Sequence, residues 1–403
     1  MRARLALAAA AAAVVLTGCG GGSTTSVEAG PPVPREFFGM NAQILEQVAA
    51  SGNLVYTHRS AVEIARLGIG FVRSSFDWTQ VEPAAPVAGR HTYRFAPLDG
   101  WVGTLASQHL RWLPTVKGGP IPEWAASPSP PPECGTNSPP RGTADYAALM
   151  EALARRYGRG GSFWHEHPDL PYEPVTEYEA WNEPNFGRLW CPKPEPASYA
   201  RLYLAAHDAV HDVDAKAVVL VGGLAAFATD EAGPPAKTSY RTFLSDAVEA
   251  VPELRDSVDA VAVHPYGKDP EAVLRALSGF RDALDAAGLG SVPMNADEVG
   301  WHTRGALGLP PVPEDTRAEY FRVVTPAIAR SGCGVTGIAA HTWVTPERRT
   351  SYPEDWYGMA DPRTGEPYPS ADAYGELAGR LEDGDPVPVT APACENGAAQ
   401  DGG

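Results

Sequence analysis

Between about Arg35 and Leu381 the chain alternates eight strand-like runs with eight helical patterns, and this rhythm limits its fold more than any other feature. The strand candidates are Glu36–Gln43, Phe71–Trp78, Arg111–Lys117, Val175–Asn182, Ala217–Leu224, Asp259–Tyr266, Val292–Glu298 and Gly334–Val344. Apolar residues recur at three- and four-residue intervals over Ala144–Tyr157, Ala197–Val213, Tyr240–Ala250, Pro270–Ala287, Glu314–Arg330 and Tyr368–Leu381, the signature of amphipathic helices. A first helix falls within Glu46–Leu67, clearest over Ala61–Leu67, and Leu98–His109 supplies the second. Strands and helices in strict alternation form parallel βαβ units. Eight of them close most simply into an α/β fold, a single (β/α)8 TIM barrel, because closure leaves no unpaired edge. The alternative is an open doubly wound sheet. No Gly-rich phosphate loop follows the first strand, which argues against a nucleotide-binding version of it.

Residues 35–382 are assigned to the barrel, which fits the 403-residue length. A hydrophobic content of 44% against 20% charged provides a sizeable core. The net charge of −17 argues against a nucleic-acid partner, since phosphate binding needs a basic surface. A neutral ligand such as a glycan is compatible with that charge, and so is any acidic exported protein.

The first residues read as an export signal. Arg2 and Arg4 precede an apolar run, Leu5 to Leu16, that is too short to span a membrane. The run ends in Leu16-Thr17-Gly18-Cys19, which resembles the lipobox of bacterial lipoproteins. That resemblance implies a signal peptide over 1–18, lipidation of Cys19, and a membrane contact made only through this anchor. An ordinary secretory signal is the alternative; either way the mature protein is extracytoplasmic. Gly20 to Pro34 is rich in Gly, Ser, Thr and Pro, so 19–34 is expected to be a flexible tether, with 383–403 a C-terminal tail. Four cysteines remain. An oxidising compartment permits the pairs Cys134–Cys191 and Cys333–Cys394; four free thiols are the other reading.

The connections are lopsided. Gly118–Thr143, Pro184–Pro196, Ala225–Thr238, His302–Pro313 and Thr345–Pro367 all follow strands and are long, whereas most returns from helix to strand are short. In a barrel the long loops share one face, and that face carries the active site.

Two glutamates stand at that face. Glu183 lies in Trp181-Asn182-Glu183-Pro184-Asn185 after the fourth strand, and Glu298 in Asp297-Glu298-Val299-Gly300-Trp301 at the end of the seventh. Barrel closure brings such strand ends together. Two carboxyl groups about 5–5.5 Å apart are the equipment of a retaining glycosidase, one as acid/base and one as nucleophile. A structural reading also exists: Asn182 or Asn185 as a helix N-cap with Pro184 early in the helix.

Trp181-Asn182-Glu183-Pro184 resembles the Asn-Glu-Pro signature of a clan of (β/α)8 retaining glycoside hydrolases, which includes the cellulase-like family 5 enzymes and the family 39 xylosidases and iduronidases. Glu298-Val299-Gly300-Trp301 resembles the strand-seven nucleophile motif of the same clan. The resemblance implies Glu183 as acid/base, Glu298 as nucleophile and Asn182 as a partner of the substrate 2-hydroxyl. It places Arg73 beside the nucleophile, Tyr266 in a hydrogen bond to it, and His264 as an orienting group. Arg73 as a structural partner of barrel carboxylates, and His264 as a satisfied core residue, are the plainer readings. Trp343 would form the aromatic floor under the sugar, or be a core Trp. Trp78, Trp124 and Trp301 are candidates for neighbouring subsites. Asp297 departs from the clan, and strand alternation is expected to point it away from Glu298. Strand three ends Thr115-Val116-Lys117 without the His some relatives carry.

The expectation is thus a monomeric, exported O-glycosyl hydrolase acting on a carbohydrate, with neither cofactor nor catalytic metal. A non-catalytic glycan-binding lipoprotein and a transglycosylase are the alternatives.

Overall fold

The computed structural model describes residues 14–15, 25–116, 121–126, 134, 137–306, 308–390 and 394. Eight parallel strands close into a barrel: β1 (Phe38–Asn41), β2 (Phe71–Ser75), β3 (Arg111–Val116), β4 (Glu177–Ala180), β5 (Val218–Ala225), β6 (Ala260–His264), β7 (Met294–Val299) and β8 (Val335–Ala340). Closure is the β8–β1 pair, with Ile338 opposite Phe38 and Ala340 opposite Met40.

Each strand is followed by an outer helix: α1 (Leu54–Arg66), α2 (Ala96–Ala106), α3 (Thr143–Tyr157), α4 (Pro196–His211), α5 (Tyr240–Ala250), α6 (Pro270–Ala286), α7 (Glu314–Ala329) and α8 (Pro369–Glu382). Local chemistry fixes their starts. The side chains of Asn53, Ser239 and Asp269 accept from Tyr56 N, Thr242 N and Ala272 N, satisfying amides that no helical carbonyl can reach. The segment read as a first helix is two, because Ser51-Gly52-Asn53 interrupts Gln43–Ala50 before α1.

Two apolar layers result. Phe71, Leu113, Leu220, Ala260, Ala262 and Ala339 form a small separate core inside the barrel. A larger cluster fills the space between strands and helices. The disulfides Cys134–Cys191 and Cys333–Cys394 pair as expected.

The chain ends behave differently from expectation. Thr25–Glu28, inside the supposed flexible tether, pairs antiparallel with Val387–Thr390, inside the supposed tail. Val387 and Val389 turn inward and are buried while Pro388 is exposed, the alternation of a half-buried strand. Valines at every second position and the paired threonines therefore outweigh the low-complexity composition. Val33 N adds a hydrogen bond of 2.9 Å to Leu381 O in the last turn of α8. This clasp lies at the N-terminal ends of the strands, opposite the loop face. Cys19 lies outside the described residues.

Candidate active site

Arg73 is on β2, in the inward-facing row with Phe71 and Ser75, one layer above the small inner core. Its guanidinium is buried and forks across the barrel. Nε and Nη2 donate to the two Glu179 carboxylate oxygens at 2.7 and 2.8 Å; Nη2 also reaches Asn182 Oδ1 at 2.7 Å. Nη1 donates to Glu298 Oε1 at 2.6 Å and to Asn41 Oδ1 at 2.9 Å. Asp297 Oδ2 lies 2.9 Å from Nε. One cation thus serves three carboxylates, an arrangement only a planar fork can make.

Two irregularities build this layer. On β7, Ala296 pairs with Ile338 but Val299 pairs with Ala340, so Asp297 and Glu298 together oppose the single residue Ala339. This bulge breaks the alternation that would have turned Asp297 away, and both carboxylates reach Arg73. On β5, Gly222 and Gly223 together oppose Ala262. A Cβ on Gly223 would lie 1.9 Å from His264 Nε2, so only glycine leaves room for that ring. Gly223 N then donates to Glu179 Oε1 at 2.8 Å.

β4 stops at Ala180, because Trp181 (φ 78°) and Glu183 (φ 45°) adopt left-handed backbone, a conformation costing about 1–3 kcal/mol per residue. The surroundings impose it. Trp181 is fully buried, its indole N–H donates to Leu189 O at 3.0 Å, and Glu183 N is bound to Gly223 O at 3.0 Å. No helix follows directly, so the N-cap reading of Asn182 and Asn185 fails: α4 begins only at Pro196. Asn185 instead bridges Ala225 and Thr238 through both ends of its amide.

The turn delivers Glu183 to the mouth, where one of its carboxylate oxygens, one of Glu298 and a His264 ring nitrogen lie within 4.8 Å of each other. The two carboxylate side chains are 17% and 12% exposed, enough to be touched from the open face. His264 Nδ1 is 2.9 Å from Glu183 Oε1 and 3.6 Å from Glu298 Oε2, and its Nε2 is 3.3 Å from Asp297 Oδ1. The Tyr266 hydroxyl donates to Glu298 Oε2 at 2.9 Å.

Charge follows geometry. Burial opposes ionisation of Glu298, yet His264 above all, with Arg73 and the Tyr266 hydroxyl, holds its carboxyl far below the usual carboxylate range. Burial likewise opposes a charged His264, but Glu298, Asp297 and Glu183 outweigh it and hold the imidazole protonated well above its ordinary value. Burial raises the Glu179 carboxyl in spite of Arg73. Three sets of metal-type donors lie close together in the described residues, and two are here: Glu183, His264, Glu298 and Glu179, His264, Asp297. In the first set the imidazole is already shared between Glu183 and Glu298, and the Arg73 guanidinium already occupies the second.

Of the aromatic candidates, Trp343 is fully buried, beyond the end of β8, and offers no face to a sugar. Trp78 and Trp301 are buried too, their indole N–H groups bound to Glu82 and Gly267; Trp124 is half-buried. The rings that cluster beside Glu298 are instead those of Tyr266, His341 and Tyr357, with centroids 5.2 to 6.1 Å apart. Burial holds the His341 imidazole below its usual value. Glu354, in the loop after β8, is exposed on the cleft side; the enclosing wall, Glu298 and Glu183 push its carboxyl up to about 7, against Arg188. Sequence reasoning did not single out Asn41, Glu179, His341 or Glu354. Glu179 and Asn41 could have been found as polar residues at inward-facing strand positions.

No family model matches the sequence, and no curated protein matches it. Solved structures do. A monomeric beta-xylosidase from Caulobacter crescentus superposes with a TM-score of 0.59 at 18% identity, covering 87% of this chain and 69% of that one. A GH39 enzyme from Xanthomonas axonopodis gives 0.62 at 19%, covering 87% and 68%. A GH5_18 protein from Streptomyces cattleya, in complex with Manb1-4GlcNAc, gives 0.62 at 16%, covering 89% and 82%. Identities this low establish what these proteins share with the chain as architecture: a single closed (β/α)8 barrel.

Proposed function

We propose that the protein is a retaining O-glycoside hydrolase, with Glu183 as acid/base and Glu298 as nucleophile. The observation that carries this reading is the approach of their carboxylate oxygens to within 4.8 Å at the loop face. That closest approach is short of the roughly 6.5–9.5 Å that admits a water for inversion, which favours double displacement, whose carboxyl groups stand about 5–5.5 Å apart. Glu183 gives its proton to the glycosidic oxygen as Glu298 attacks the anomeric carbon, and the aglycone leaves with that proton. Glu183 then takes a proton from water, whose oxygen displaces Glu298 from the same carbon. The configuration is kept. Arg73 and Tyr266 hold Glu298 ionised and aimed, and Asn182 binds the 2-hydroxyl.

The solved relatives are named as a xylosidase, a glucosidase and an exo-beta-1,4-mannosidase, so β-glycosides of xylose, glucose and mannose head the substrate panel. On a cleaved substrate, Glu183→Gln is expected to lower kcat by about 10²–10⁴-fold. An activated 2-fluoro glycoside should add one sugar mass at Glu298. Inverted product, or binding with no hydrolysis of any panel member by the unaltered protein, sinks the reading; the latter outcome leaves a glycan binder. An added sugar acceptor that outcompetes water marks a transglycosylase.

We propose further that the protein is exported as a monomer and anchored through lipid on Cys19. The two disulfides support an oxidising location. Cys19→Ser should abolish incorporation of labelled fatty acid; labelling that persists removes the anchor.

A further inference from the structure

We propose that His207, His211 and Asp259 form a binding site for a divalent transition-metal ion of the zinc class, on the outer wall of the barrel at the end opposite the mouth. His207 and His211 are four residues apart in the last turns of α4, hence on one face. Asp259 immediately precedes β6. A ring nitrogen of each histidine and an oxygen of Asp259 lie within 4.8 Å of one another.

The donors converge rather than merely neighbour each other. His211 Nε2 is 2.9 Å from Asp259 Oδ2, and His207 Nε2 is 3.7 Å from Asp259 Oδ1. With zinc–ligand bonds of about 2.0–2.1 Å, adjacent donors of a tetrahedral site stand about 3.3 Å apart. The two observed separations, one to each oxygen of the carboxylate, are of that order. The rings are stacked with centroids 4.1 Å apart, so both present Nε2 to the same carboxylate.

Supporting contacts complete the arrangement. His207 Nδ1 is 3.0 Å from Asp208 Oδ1, the carboxylate–imidazole contact that orients a metal-binding histidine. Asp259 Oδ2 accepts the Val219 amide at 2.8 Å, which pins the carboxylate. The three ligand side chains are 13%, 26% and 23% exposed, so an ion can enter and a water can take the fourth position. The site joins the end of α4 to the entries of β5 and β6. It stands apart from Glu183 and Glu298, so its ion stabilises the fold rather than taking part in chemistry.

The test uses untagged, chelator-treated full-length protein, titrated with Co²⁺ and then Zn²⁺. The expected result is one equivalent of Co²⁺ with the visible absorption of a four-coordinate ion, displaced by Zn²⁺, and a Tm that rises with metal. X-ray absorption of the Zn²⁺ form should show two imidazoles. His211→Ala should lose binding, and Asp208→Asn should weaken it about 10–100-fold. Absence of saturable one-to-one binding overturns the proposal; so does a bound ion without imidazole ligands, or binding unchanged in His211→Ala. The X-ray absorption result decides on the unaltered protein if that variant does not fold.

Discussion

Removing the Arg73 guanidinium would leave Glu179, Asp297 and Glu298 without their shared cation. Arg73→Met is therefore predicted to cost about 3–5 kcal/mol of stability, the penalty for breaking a buried ion pair, measurable by urea unfolding. Arg73→Lys should rescue little of it, because a point charge cannot serve three acceptors. Glu354 makes a second prediction. It carries its proton below pH about 7 and loses it above, adding negative charge beside Glu298 and Glu183. Activity should change slope near pH 7, and Glu354→Gln should remove that inflection; an identical profile would exclude Glu354 from the site's electrostatics. At this scale the sequence was partly readable. Glu183, Glu298, Arg73, Asn182, His264 and Tyr266 meet as one constellation because motifs at strand ends locate residues well. Trp343 went wrong because residue type does not reveal which way a side chain turns once the strand has ended.

Among the elements, all eight strands were legible from alternation, whereas their irregularities were not. A bulge is a matter of pairing count between neighbours, so Asp297 read alone as a residue pointing away from Glu298. The Gly222-Gly223 pair was similarly silent: its meaning depends on His264, distant in sequence. Gly223→Ala is predicted to displace that ring and cost about 1–3 kcal/mol through overpacking, with a disproportionate loss of activity as His264 leaves Glu183. Normal activity at normal stability would show that β5 can yield, and that the tight approach is not needed. The strained turn from Trp181 to Glu183 follows the same logic, since its cost is met by Val116 O on β3, which accepts from Trp181 N at 3.0 Å, and by Gly223 O on β5, partners that no local pattern discloses.

Taken as a whole, the molecule is a barrel whose two chain ends are fastened together. Composition could not show this, because Thr25–Glu28 acquires its meaning from its partners, Val387–Thr390 above all. Truncation after Pro386 removes two buried valines and the Cys333–Cys394 cross-link. It should lower the unfolding free energy by at least about 4 kcal/mol, read from denaturant midpoints. An unchanged midpoint would mean that the clasp is ornamental. Its position also carries an orientation. Only residues 20–24 separate Cys19 from the clasp strand at Thr25–Glu28, a reach of at most about 22 Å. A lipidated Cys19 would therefore seat the underside of the barrel close against the bilayer, with little freedom to tip over. The cleft would look outward, toward polymers arriving from the surroundings rather than toward the headgroups beneath.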